Sequence, residues 1–222
     1  MEKTRILIKR WLIRNTVFWG AMLAALMPGC QHSALIPLGT NNNTRTTSTA
    51  TAAAATAWAA PVERPGLSNF YKVSDDLYRG AQPTAEGVQQ LQALGVKTVI
   101  NLRDGDTDKG LSIPPGMAYE LIRMTAWHVS DDDVVQFLRV MSDKSRLPAF
   151  VHCLRGADRT GMMVAIYRVA VQGWDKEQAI AEMTEGGFRF NSGWQNLVKY
   201  VRDMDVNAIK QKAGIKGLAT TN

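Results

Sequence analysis

Of the two cysteines in this 222-residue sequence, one stands where chemistry is easier to explain than packing. Cys153 lies in "AFVHCLRGADRTG", residues 149–161, between an apolar run and a loop carrying two arginines, an aspartate and two glycines. A lone buried cysteine behaves as a small hydrophobe, but one set at a strand-to-helix corner among cations is placed to react. The spacing predicts a strand ending at His152 and a helix beginning near Thr160. The backbone N–H groups of Leu154, Arg155, Gly156, Ala157, Asp158 and Arg159 can then converge on one point at a helix N-terminus. Such a concavity binds anions, phosphate above all. Gly156 permits the positive φ that a tight cradle needs. Arg159 can reach back with a planar fork that matches two phosphate oxygens. The same field favours the thiolate of Cys153 and makes it nucleophilic at neutral pH.

The stretch resembles the signature loop of the cysteine-dependent protein tyrosine phosphatases, His-Cys-x5-Arg-Ser/Thr, met here by His152, Cys153, Arg159 and Thr160. The segments "LYRGAQP" and "VKTVINLR" look like the opening elements of bacterial, plant and fungal atypical dual-specificity phosphatases, and the resemblance spans roughly residues 68–200. It implies a two-step displacement with no cofactor and no metal. Cys153 attacks phosphorus, while Arg159 and the loop amides of residues 154–159 hold the equatorial oxygens. Thr160 assists the departing thiolate and His152 orients the loop. An acid protonates the leaving oxygen and then, as a base, activates water.

The identity of that acid separates this chain from most of the family, which places an aspartate about 30 residues before the cysteine. Here that distance falls on Arg123 and Met124. Asp158 is the expected acid: beside a phosphate dianion its pKa must rise on substrate binding. The "GxDRT" form resembles that of myotubularin-like and mycobacterial lipid-active phosphatases, in which an aspartate at this position is implicated in acid catalysis. The bland alternative for Asp158 is a carboxylate bracing the loop against a neighbouring arginine. Asp131, in "SDDD", is the alternative acid, although Ser130 and Asp133 also read as a helix cap.

The elements that must position this loop alternate along the chain. "NFYKVSDDLYRGAQP" reads as two short antiparallel strands, and "TAEGVQQLQALG" as a helix capped by Thr84 and stopped by Gly95. "VKTVINLR", "AYELIRMTAW" and "PAFVHC" read as strands, the first and last of them buried. "SDDDVVQFLRVMSD" puts Val134, Phe137, Leu138 and Met141 on one helical face. Three helices follow: "TGMMVAIYRVAVQG", "WDKEQAIAEMTEGG" and "GWQNLVKYVRDMDVNAIKQKAG". The alternation predicts an α/β domain of three layers, a central mixed, mainly parallel sheet flanked by helices, with ligands beyond the carboxyl ends of the strands. Trp127, Trp174, Phe188 and Trp194 read as core or rim packing, with "FRFNSGW" a candidate pocket wall.

Residues 1–30 read as an export signal: five basic side chains, then a 14-residue apolar run, short of the ~20 that span a bilayer. "LMPGC" resembles a bacterial lipoprotein processing site, which makes Cys30 the expected lipidation site; a plain signal peptide or uncleaved anchor is the alternative. Residues 1–29 hold five of the 26 basic and one of the 20 acidic side chains, so the net +6 drops to about +2 without them and gives no case for nucleic-acid binding. Residues 31–66, rich in Thr, Ala and Asn, read as a flexible tether, 67–215 as the catalytic domain and 216–222 as a disordered tail.

The expected protein is thus a monomeric phosphatase in the bacterial envelope, facing the periplasm and held to the membrane. Its expected substrate is a phosphorylated protein, with an inositol phosphate or phosphoinositide as the alternative. A rhodanese-like sulfurtransferase does not require the Arg159–Thr160 pair, and a non-catalytic phosphate-binding module commonly lacks the cysteine or the arginine. His32, His128 and His152 are too sparse for zinc.

Overall fold

The computed structural model describes residues 57–105, 108 and 110–215. Cys30, the signal segment, most of the tether and the 216–222 tail lie outside the described residues. The strands are β1 (Ala60–Pro61), β2 (Tyr71–Lys72), β3 (Leu77–Gly80), β4 (Thr98–Asn101), β5 (Ala118–Leu121) and β6 (Ala149–His152). The helices are α1 (Ala85–Ala93), α2 (Asp131–Ser142), α3 (Asp158–Ala170), α4 (Lys176–Glu185), α5 (Gln195–Asp203) and α6 (Val206–Ala213), with a 3-10 turn at Lys144–Arg146.

The sheet order is β1-β2-β3-β6-β4-β5. The first three strands pair antiparallel, and β3, β6, β4 and β5 run parallel. Alternation of side chains in the central strands divides the core in two. Val99 and Phe150 face Val88 and Leu91 of α1, while Ile100 and Val151 face the cluster built by α2 to α6. This is the three-layer α/β arrangement expected from the sequence. At its middle runs α3, buried on every side from Thr160 to Ala170, and β6 brings its carboxyl end between β3 and β4.

Local signals set most boundaries. The Thr84 hydroxyl accepts from the Gly87 amide, and the chain turns at Gly95 with φ +76°. Ser130 and Asp133 form a reciprocal capping box, so the "SDDD" run does cap α2, and its four expected apolar residues are buried. Two expectations are corrected. The long C-terminal helix is two helices, α5 and α6, because the Asp205 carboxylate caps a new start by accepting from the Asn207 and Ala208 amides. The tether expected over 31–66 ends sooner, since residues 57–66 join the domain: β1 pairs with β2, Ala59 is buried, and its amide donates to Glu182 Oε1 at 2.7 Å.

Candidate active site

At the carboxyl end of β6 the chain leaves the sheet at Cys153 and curls through Leu154–Ala157 into α3. Each carbonyl of this curl accepts a hydrogen bond. Leu154 O accepts from the Gln82 amide (3.3 Å), Arg155 O from Asn69 Nδ2 (3.0 Å), Gly156 O from Arg79 Nη2 (2.8 Å) and Ala157 O from the Gly161 amide (2.8 Å). None of the amide N–H groups from Leu154 to Arg159 has an acceptor among the described residues. Unpaired amides at the start of a buried helix are an anion cradle, with the helix dipole adding to them.

Cys153 is buried at the floor of a cleft of about 300 Å³. The cleft is lined by Asp104, Thr125, Ala126, Trp127, Leu154, Arg155, Asp158, Arg159 and Trp194 together with the cysteine. Gly156 has φ +68°, and a Cβ there would stand 2.3 Å from the Gly80 carbonyl. The loop therefore lies directly on the backbone of the β3–α1 turn, and no other residue type fits.

Of the site residues singled out from the sequence, Cys153, Leu154, Arg155, Asp158 and Arg159 line the cleft. Arg159 lines it, with Nη1 donating to Leu102 O (3.2 Å) and Met124 O (3.1 Å), contacts that fix its reach towards the cradle. The Thr160 hydroxyl is buried beneath, without a hydrogen-bond partner of its own and so not bonded to Cys153. His152 is fully buried behind the loop, Nε2 3.0 Å from Asp108 Oδ2 and Nδ1 3.2 Å from Cys153 O.

The two candidate acids part company. Asp158 lines the cleft, its Oδ1 accepting from the Asn191 amide at 2.8 Å; this brace is a backbone amide, not the arginine that the bland reading supposed. Asp131 does not line it. Hydrogen bonds from Lys212 Nζ and Tyr200 OH, both at 2.9 Å, hold Asp131 at the α2–α6 surface and keep its carboxyl below the usual value. Trp174 and Phe188 are core residues, Trp194 is a half-buried cleft wall, and Trp127 stands 71% exposed on the rim.

Three residues of this neighbourhood went unread in the sequence. Arg79 lies under the loop, Asp108 behind His152 and Asp104 on the cleft wall. The first two act through partners far away along the chain, a relation that no local motif carries. Asp104, in "NLRDGD", carries a signal of composition only.

Residues 60–200 match a family model described as the DSP-PTPase phosphatase fused to NAD+ kinase. The chain belongs to the DSP-type protein tyrosine phosphatases. It is 39% identical to the dual specificity protein phosphatase TpbA of Pseudomonas aeruginosa over 155 residues, 69% of this chain and 70% of that protein. It is 28% identical to inositol diphosphatase DSP5 of Arabidopsis thaliana, covering 64% of this chain and 72% of that one. A crystal structure of a cysteine-to-serine variant of P. aeruginosa TpbA in complex with pTyr superposes with a TM-score of 0.63 at 34% identity, covering 72% of this chain and 97% of that one. The DSP-type fold expected from the sequence is thus the fold observed, and the chain is a cysteine-dependent phosphatase.

Proposed function

We propose that this chain hydrolyses phosphomonoesters of protein tyrosine, and of serine or threonine where they reach the cleft, through a phosphocysteine on Cys153. The observation that carries this reading is that all four loop carbonyls from Leu154 to Ala157 have donors while the loop amides beside the thiol have no acceptor among the described residues. The Cys153 thiolate attacks phosphorus, and the bond from phosphorus to the ester oxygen breaks. The leaving oxygen takes a proton, and the amides and Arg159 hold the three equatorial oxygens. Water then attacks phosphorus and gives a proton to the carboxylate that had protonated the leaving oxygen, and the phosphorus–sulfur bond breaks to release inorganic phosphate and the Cys153 thiolate.

Asp158 is the proton donor in this reading. The Asn191 amide holds the carboxylate at the cleft by donating to Oδ1, and a phosphate dianion seated on the cradle would oppose a second negative charge there and favour the acid form that donates the proton. Asp158→Asn is then expected to lower kcat by about 10²–10⁴-fold and to remove the alkaline limb of its pH profile. Loss of that limb in Asp104→Asn, with Asp158→Asn near wild type, would transfer the role to the other cleft carboxylate.

The test of the main reading is hydrolysis of a small aryl phosphate in EDTA, beside Cys153→Ser. Activity only in the wild type supports it; equal rates in both would end it. An inositol phosphate is the second reading, supported by the likeness to DSP5 and by exposed Arg155 on the rim. Parallel turnover of phosphotyrosine peptide and inositol polyphosphate decides between them.

We further propose export to the envelope and lipid anchoring at Cys30, on the sequence alone, with the domain acting as a monomer. Mass spectrometry of the mature N-terminus and light scattering of the purified domain test the two statements.

A further inference from the structure

Arg79, on β3 opposite Val151 of β6, is entirely buried. Its Nη2 donates to Gly156 O at 2.8 Å and reaches Ala157 O at 3.4 Å, and its guanidinium lies 3.8 Å from the Phe188 ring centroid. Nε and Nη1 are buried with no acceptor, and no carboxylate pairs with the group among the described residues. Buried cations are ordinarily paired. Glu182, the acid that enters its electrostatics, is already gripped by both Arg168 Nε (2.7 Å) and Arg168 Nη2 (2.6 Å). Burial pushes Arg79 down to about 10, with Glu182 and Cys153 pulling the other way, so it remains a cation at neutral pH.

A buried cation facing carbonyls and an aromatic ring lacks a paired counter-charge, and with Glu182 engaged by Arg168, Cys153 at the start of the same loop is the next group that can become an anion within its electrostatic reach. We propose that Arg79 is a positioning residue of the phosphatase reaction, turning the loop carbonyls outward and supplying the buried positive charge against which Cys153 ionises. The proposal rests on Cys153 being the nucleophile. The other charged or titratable groups around the loop have separate engagements. His152 faces Asp108, Arg159 donates to Leu102 and Met124, Asp158 accepts from Asn191, and Asp104 and Arg155 are exposed at the cleft. Tyr71 of β2, Arg168 of α3 and Glu182 of α4 also enter the electrostatics of Arg79.

The test is the pH dependence of Cys153 alkylation by iodoacetamide in the full chain, followed on the peptide containing that residue, for wild type, Arg79→Gln and Arg79→Lys. Arg79→Gln is expected to raise the apparent thiol pKa by about one unit or more, roughly tenfold less thiolate at a given pH below it. Arg79→Lys keeps the charge and should hold the thiol within about half a unit of wild type while kcat falls about tenfold or more, because an ammonium cannot both donate to Gly156 O and lie over the Phe188 ring as the planar guanidinium does. A folded Arg79→Gln with an unchanged thiol titration overturns the proposal. Should that variant not fold, an Arg79→Lys enzyme with wild-type kcat, or with a thiol shifted by a full unit, overturns it instead. Thiol shifts in a protein that hydrolyses no phosphomonoester would sink the reaction assigned above and leave the Arg79–Cys153 coupling standing.

Discussion

His152 Nε2 and Asp108 Oδ2 stand 3.0 Å apart, with 0% and 1% of their side chains exposed. Asp108 belongs to the segment between β4 and β5, and His152 ends β6 immediately before the nucleophile. Gln82 Nε2 donates to the other Asp108 oxygen at 2.8 Å and, through its Oε1, accepts from Arg103. One buried carboxylate thus joins an irregular segment, the β3–α1 turn and the strand that carries Cys153.

That carboxylate makes stability depend on pH in a definite sense. Burial by itself would raise the Asp108 pKa, but the His152 ring 3.0 Å away, with hydrogen bonds from Gln82 and Tyr119, outweighs it and holds the group below its ordinary value. A carboxyl that is more acidic folded than unfolded contributes stability above its unfolded pKa, about 3.9, and loses it as pH falls through the folded value. Asp108→Asn should therefore cost about 1–3 kcal/mol at pH 7, and the penalty should shrink towards pH 3. Urea unfolding at both pH values checks this, and an equal penalty at both would mean that packing alone is lost.

A second buried charge anchors the start of the domain. Arg168 and Glu182 form a bidentate pair with 2% and 1% of their side chains exposed, and Glu182 Oε1 also accepts from the Ala59 amide. Removing one partner of such a pair strands the other without water, so Glu182→Gln should cost about 3–5 kcal/mol in urea unfolding. Glu177, bonded to Arg202 with side chains 61% and 50% exposed, is the natural control. Glu177→Gln should leave the urea midpoint close to wild type, because water screens an exposed pair. Similar losses in the two variants would show that burial does not govern the Arg168 pair.

The contrast between these residues and the loop explains what a reader of the sequence can see. The cradle is contiguous: Cys153, Gly156, Asp158, Arg159 and Thr160 carry its chemistry within one turn of chain. The sheet and the first helices are equally local, because β-branched runs and the caps Thr84 and Ser130 act on their neighbours. Arg79 is separated by 77 residues from the carbonyl it holds, and Ala59 by 123 from its acceptor. Nothing at either position announces burial, and an arginine is by default read as solvated. The break between α5 and α6 was written locally, in Asp205, but a continuing apolar period masked it.

Gly156 offers the sharpest test of the cradle. Its φ of +68° strains any side chain, and a Cβ would press to 2.3 Å from both the carbon and the oxygen of the Gly80 carbonyl. That neighbour is backbone in a buried strand and cannot swing aside. Gly156→Ala should destabilise by about 1–3 kcal/mol through the positive φ, with the clash adding to it, and should weaken binding of inorganic phosphate about tenfold or more. Calorimetry with phosphate on the folded variant reads the second effect, and unchanged affinity would show that the loop amides are not the anion site.

Oxidation should silence the enzyme by a route that the cysteine count dictates. From residue 57 to residue 222, Cys153 is the only cysteine, so an oxidised thiol in that segment has no partner for an internal disulfide. Peroxide oxidises the thiolate to a sulfenic acid, which thiols reduce, and excess peroxide carries it on to sulfinic and sulfonic acids, which they do not. Inorganic phosphate, by occupying the cradle, should slow the first step. Mass spectrometry of residues 57–222 after brief and prolonged exposure should find one, then two or three added oxygens on the Cys153 peptide. Dithiothreitol should recover activity only after brief exposure. Full recovery after prolonged exposure would mean that some other group shelters the sulfenic acid.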